Sequence, residues 1–361
     1  MSDAVRVPQA RRVSRRGMLA GGACLAAAGS LAGSGPSAVA ASPQPAIEND
    51  DELERALPAL SNWGRWGQDD QIGTLNLMTP RTRLAAAALI RTGRVVPFAR
   101  EMSSTTPNLR DVTYRMKKYF DPLPEESGCI DEIGMTYHGF AVTHVDALCH
   151  IFTPEGREGM YNGYPTEDVT PDGARRLGIE RLGEVGIVGR GVLLDVAELR
   201  GGPLEVGSVI RPQDLEGAER LHDVEVGEGD VVLVRNGGGA RNTYQRGTGL
   251  HASCLPWLRA RGVAVLSSDS DSDVHPPLAG FARWTEPMHM VLIPYLGMPI
   301  LDNTDLDALA GACAEEGRWA FFVSVAPCVS KAPRAHRSIR SRSSDSANSA
   351  RACGRRRRRR A

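Results

Sequence analysis

The chain is short of the features that would place it in several common classes. It has seven cysteines in 361 residues and no Cys-x-x-Cys spacing, which argues against a zinc finger or a dithiol redox site. Cys149, Cys254 and Cys313 stand in apolar settings, where packing as small hydrophobes is the default, and no disulfide is assigned. No repeat, low-complexity run or Ser/Gly/Pro linker interrupts 60–328, so one large domain is expected there. The apolar stretch from Met18 to about Ala32 is too short and glycine-rich to span about 30 Å of hydrocarbon. The glycines after Val234 miss the dinucleotide-binding pattern, because Asn242 stands where the third glycine is required. No Gly-x-Ser-x-Gly nucleophile elbow occurs. Asp269, Asp271 and Asp273 alternate like the start of a calcium loop. Val274 takes the obligatory glycine position, however, and Gly280 that of the bidentate glutamate. That segment is expected to be a solvated loop lying near the active site.

Net charge is zero over the whole chain, with 43 basic and 43 acidic residues, but its distribution is uneven. Residues 1–40 carry +4 and residues 329–361 carry +11, which leaves −15 for 41–328. An acidic core argues against nucleic acid as its partner. Ser14-Arg15-Arg16-Gly17-Met18-Leu19, the apolar stretch and the small-residue site Ala38-Val39-Ala40 together read as a twin-arginine (Tat) export signal over 1–40. The mature protein is therefore expected to be periplasmic or extracellular, with no membrane association once the signal is removed. A short extension, 41–59, follows. The tail, 329–361, ends in six arginines, Arg355 to Arg360. It reads as an anion-binding tail, a solvated disordered extension, or the product of a reading-frame error. The frameshift is favoured, because back-translation of 332–344 read one base out of phase yields a better closing segment.

Strand and helix patterns alternate through the core, giving a mixed α/β fold class. Thr79-Pro80 opens a helix with a stripe of Leu84, Ala88 and Leu89, closed by Gly93. Ile187 to Val196, Asp230 to Val234, Val263 to Leu266 and Trp319 to Val325 read as strands. Ser253 to Ala260 looks helical, and Leu306, Leu309, Ala310 and Cys313 form a helical stripe ended by Gly317.

The chemistry concentrates in 137–152. Three of the chain's eight histidines, His138, His144 and His150, fall there with Asp146. On an extended segment His144 and Asp146 point to the same side. A turn of helix after the strand would return His150 toward that side. Imidazole and carboxylate together suit zinc or manganese. Downstream, His289 heads an apolar run and Asp302-Asn303 follows a second one. Asp302 reads equally as a helix cap.

These motifs resemble the cyclase family that includes bacterial kynurenine formamidase and isatin hydrolase, marked by His-x-Gly-Thr-His-x-Asp-x-x-x-His. Thr143, His144, Asp146 and His150 match its second half, and Leu301-Asp302-Asn303 resembles the family's later Leu-Glu-Asn. The resemblance extends over roughly 60–328. It implies a swivelling β/β/α domain, a homodimer, and one or two Zn²⁺ or Mn²⁺ ions. Carried over, His144 and Asp146 are metal ligands, Asp146 bridges to a second ion held by His289 and Asp302, and His150 is the proton shuttle. The family's first histidine falls at Phe140, which cannot ligate; His138, of the same strand parity, could substitute. The implied activity is hydrolysis of a cyclic amide, an N-formyl aromatic amide or a lactone by metal-activated water. The alternative is a catalytically degenerate relative that binds a small ligand. Trp63 and Trp66 could line a pocket for a flat substrate ring, or could equally be core.

Overall fold

A computed structural model of the chain describes residues 47–101, 110–119, 128–136, 138, 142–154, 158–238 and 247–327. Residues 1–40, where an export signal is expected, Phe140 and the basic tail over 329–361 lie outside the described residues. All described residues belong to one unit that begins at Gln44. The strands are β1 (Arg110–Tyr119), β2 (Gly128–Thr136), β3 (His144–Asp146), β4 (Val169–Thr170), β5 (Gly173–Ala174), β6 (Ile187–Asp195), β7 (Val209–Ile210), β8 (Val231–Arg235), β9 (Gly249–Leu250), β10 (Val265–Ser268), β11 (Ile300–Asp302) and β12 (Ala320–Val325). The helices are α1 (Asp50–Leu60), α2 (Pro80–Ala87), α3 (Ile179–Val185), α4 (Val196–Leu199), α5 (Pro212–Leu221), α6 (Cys254–Arg261), α7 (Pro287–Val291) and α8 (Asp307–Glu316).

The main sheet has six strands in the order β12-β6-β8-β10-β11-β3. The four central strands are parallel, and each edge strand runs antiparallel to its neighbour. Both faces of the centre are covered, which is why β8 reads as an unbroken run of Val231, Val232, Leu233 and Val234. Alternate side chains feed two cores. Val192, Leu194, Val232, Val234, Leu266 and Ile300 pack with α1, α5 and α6 on one face. Leu193, Val231, Leu233, Val265 and Leu301 pack with α8 on the other. This is a mixed α/β fold.

The expected strands and helices form, with shifted ends. The strand expected at Val263 begins two residues later, at Val265. The first helix departs more. Thr79 caps it through its side chain, but it ends at Ala87 rather than near Gly93, and Leu84 is 74 % exposed. Ala86 is the residue that it buries. The alanine run gives helix propensity without apolar bulk, so the stripe carried too little hydrophobic signal to mark the inward face.

The sheet edge that carries the candidate site residues is β3 against β11. His144 pairs with Asp302, Val145 with Leu301 and Asp146 with Ile300. The period of two puts His144, Asp146 and Asp302 on one face and the apolar Val145 and Leu301 on the other. Asp302 ends β11, and the 269–275 loop leaves the end of β10, so the carboxyl ends of adjacent parallel strands supply both.

Candidate metal centre

Asp146 lies at the middle of the site. It is fully buried, and among the described residues neither of its oxygens takes a hydrogen bond of acceptable geometry. An isolated carboxylate in such a place costs several kcal/mol unless charge compensates it. Four imidazoles surround it instead. His138 Nδ1 is 3.1 Å from Oδ1, His144 Nε2 3.6 Å and His150 Nε2 3.8 Å. His289 Nε2 lies 3.4 Å from Oδ2 and 3.0 Å from Oδ2 of Asp302.

Each side chain arrives by a local cause. His144 and Asp146 share a face of β3. The turn after β3, closed by His150 N donating to Ala147 O, brings His150 back beside them. His150 stacks on His138 with ring centroids 4.0 Å apart. Nδ1 of His144 lies 2.9 Å from the Val142 carbonyl, so it carries the proton and donates there, leaving the Nε2 lone pair facing Asp146. His289 sits in the first turn of α7, just after Pro287. Ser272 Oγ donates to Asp302 Oδ1 at 2.7 Å, which turns the other oxygen, Oδ2, toward His289.

Two sets of ligand atoms lie close enough to hold one ion each: His138, His144 and Asp146, and Asp146, His289 and Asp302. They share Asp146. The nitrogen and oxygen donors, the unbonded buried carboxylate and the two close acids all fit a divalent cation of the zinc or manganese kind. Electrostatics agree. Burial would raise the Asp146 carboxyl, but contacts with His138 and His289 and the charge of His150 hold it far below the usual carboxylate range. Burial would lower His289, yet Asp302, Asp146 and Asp273 raise it well above an ordinary imidazole. Burial, against the opposing pull of Asp146, pushes His150 down to about 4.

The acidic run after β10 is not a solvated loop. Asp269, Asp271 and Asp273 are all buried. Burial is possible because each carboxylate has its own donors. Asp269 accepts the backbone N–H groups of Asn236, Gly237 and Gly238. Asp271 Oδ2 lies 3.1 Å from His275 Nε2. Asp273 accepts from Met288 N, His289 N and His289 Nδ1. A third group with ligand-like spacing, Asp271, Asp273 and His289, arises here. In it Asp273 is already engaged by those three donors. Ser272, Asp273 and His275 were not among the expected site residues; the alternation of acids at the end of a strand was the available signal.

Trp63 and Trp66 lie in the segment after α1. Trp63 donates from Nε1 to Pro294 O at 2.7 Å, stacks on Tyr295 and packs against the first core. The Arg65 guanidinium sits 4.7 Å over the Trp66 ring. Packing thus accounts for the position of Trp63. Cys129, Cys149, Cys254 and Cys313 are free thiols.

Several solved structures are similar to the chain, and the first supports the fold. A crystal structure described as a novel cyclase is 29 % identical, covers 74 % of this chain and 94 % of its own, and superposes with a TM-score of 0.66. Isatin hydrolase A from Labrenzia aggregata, bound to benzyl benzoate, is 16 % identical over 72 % of this chain and 94 % of its own, with a TM-score of 0.45. A structure described as a potential metal-dependent hydrolase with cyclase activity is 16 % identical over 59 % of this chain and 83 % of its own, at a TM-score of 0.36. No curated protein matches the chain. The family model described as putative cyclase matches residues 79–272, more than half of the sequence and inclusive of His144, Asp146 and His150, and the chain belongs to the cyclase family.

Proposed function

We propose that this member of the cyclase family is a metal-dependent hydrolase that opens a cyclic amide, an N-formyl aromatic amide or a lactone. The observation that carries the reading is Asp146. A fully buried carboxylate whose two oxygens lack hydrogen bonds from the described residues, set among four imidazoles and beside Asp302, suits a cation. His144, Asp146 and His138 would hold one ion, and Asp146, His289 and Asp302 a second, with Zn²⁺ and Mn²⁺ the suited metals. A divalent ion held there would supply water acidic enough to lose its proton near neutral pH and would polarise a carbonyl oxygen.

The chain's own residues supply the rest. Asp146 and Asp302 provide negative charge and keep the donors in one place. His144 is fixed in a single tautomer by Val142. His150 stands on the rim, 29 % exposed, where it can reach both a bound substrate and water. Its depressed basicity leaves it unprotonated at neutral pH, the state a proton acceptor needs. It takes the proton from water and delivers it to the leaving nitrogen or oxygen. Export by the twin-arginine route and assembly as a homodimer belong to the same proposal. The first rests on residues 1–40 and the second on the family resemblance.

The test is a substrate screen with the full chain. N-formyl aromatics, isatin-like lactams and lactones are offered with Zn²⁺ and Mn²⁺ added separately. The expected result is turnover of at least one class that needs added metal and is lost on chelation. Absence of turnover across all classes with metal content confirmed would refute the hydrolase reading.

A further inference from the structure

The alternating acids Asp269, Asp271 and Asp273 have no place in the ligand sets around Asp146, and the last of them is unusually engaged. Asp273 is fully buried. Its Oδ1 accepts from Met288 N at 2.8 Å; its Oδ2 accepts from His289 N at 3.1 Å and from His289 Nδ1 at 2.7 Å. One carboxylate therefore grips both the backbone and the ring of the same histidine. Glu286, which precedes α7, makes no side-chain cap, so Asp273 fills that role from another segment.

Asp273 is itself held from behind. Its backbone lies against Gly249, where an added Cβ would come within 2.2 Å of the Asp273 carbonyl carbon. Leu250 N donates to Ser272 O, and Val274 bridges to Gly247. The neighbouring Ser272 Oγ holds Asp302. Two successive residues of one loop thus orient the two side chains that meet 3.0 Å apart at the site.

We propose that Asp273 is a positioning residue for His289. By accepting the hydrogen bond of the Nδ1–H group it commits the Nε2 lone pair to the gap between Asp146 and Asp302 and fixes the plane of the ring. A carboxylate behind a ligating imidazole also raises its donor strength, and loss of such a partner typically costs 10- to 100-fold in metal affinity. The inference rests on the metal-centre reading above, and the experiment separates the two.

The measurement is Zn²⁺ and Mn²⁺ affinity of the full chain, by competition with a chromogenic chelator. It covers wild type, Asp146→Asn, Asp273→Asn, Asp273→Ala, His289→Ala and the Asp273→Asn/His289→Ala double variant, with thermal unfolding as a fold control. Asp273→Asn can still accept a backbone N–H bond, so it is the conservative change; Asp273→Ala is the severe one. The expected result is a loss of tenfold or more in Asp273→Asn. In the His289→Ala background, where His138, His144 and Asp146 still bind, Asp273→Asn is expected to add less than twofold. A residue that acts through another has no effect once the other is gone, whereas a general structural role would add in full. Affinity within twofold of wild type in both Asp273→Asn and Asp273→Ala overturns the proposal, as does full additivity in the double variant. If wild type and Asp146→Asn bind metal equally weakly, the metal centre itself is refuted and the role of Asp273 with it.

Discussion

Replacing Asp146 by Asn is the sharpest perturbation of the site, because it removes one charge while nearly preserving shape. Asp146 belongs to both candidate ligand sets, so the substitution disables both at once. Removing one partner from a buried, charge-compensated cluster costs about 3–5 kcal/mol. At 1.4 kcal/mol per factor of ten, metal affinity should fall by roughly 10² to 5 × 10³. The assay is chemical unfolding with and without metal. A ligand at 100 times its Kd stabilises the folded state by about 2.7 kcal/mol. At the same metal concentration the variant should gain no more than about 0.4 kcal/mol. The fold should survive, because β3 is held to β11 by backbone pairing on the far side of which Val145 and Leu301 remain packed. If Asp146→Asn keeps a metal-induced gain within about 0.5 kcal/mol of wild type, Asp146 is not the shared ligand and the charge argument is wrong.

Three further outcomes follow from the same structure. His150→Ala should retain its metal by elemental analysis yet lose about 10²–10⁴ in turnover, since the proposed function makes His150 the proton carrier and it belongs to neither candidate ligand set; loss of metal would contradict that role. Leu266→Ala, at a fully buried position of β10, should cost about 2–5 kcal/mol in urea unfolding without changing the metal stoichiometry. The ring of His222 is covered by Trp319, its side chain 4 % exposed, and burial, opposed by Glu198, holds it below the ordinary imidazole value of 6.5. The folded state takes up the proton less readily than the unfolded chain, so its stability contribution is full above about pH 6.5 and declines as pH falls through that value. His222→Phe should keep the stack and flatten this decline between pH 7.5 and 5.5, and an unchanged slope would count against it.

Much of the architecture was legible because it depends on local pattern. β6, β8 and β12 read correctly from apolar runs, and Gly317 marked the end of α8 as a left-handed cap. His144 and Asp146 were readable from the period of a strand alone. His289 and Asp302 were not: they lie more than a hundred residues away, and only the family resemblance linked them to the first cluster. The acidic loop was misread for a physical reason. A run of aspartates looks solvated unless its donors are visible, and most of those donors, beside the rings of His275 and His289, are backbone N–H groups at 236–238 and 288–289, which carry no residue signature. The α2 stripe failed for the opposite reason, since Leu84 looked inward by composition and sits outside.

The edge pairing of β3 with β11 has a consequence for how the protein tolerates change. Only three residue pairs set that alignment, and they alternate polar, apolar, polar along β3. A slide by a single position would present Val145 to the site and send both His144 and Asp146 toward the opposite layer. The greasy rung formed by Val145 and Leu301 therefore acts as a key that admits one alignment. Inserting or deleting one residue between Thr143 and Asp146 should erase the chemistry while leaving the central four strands folded.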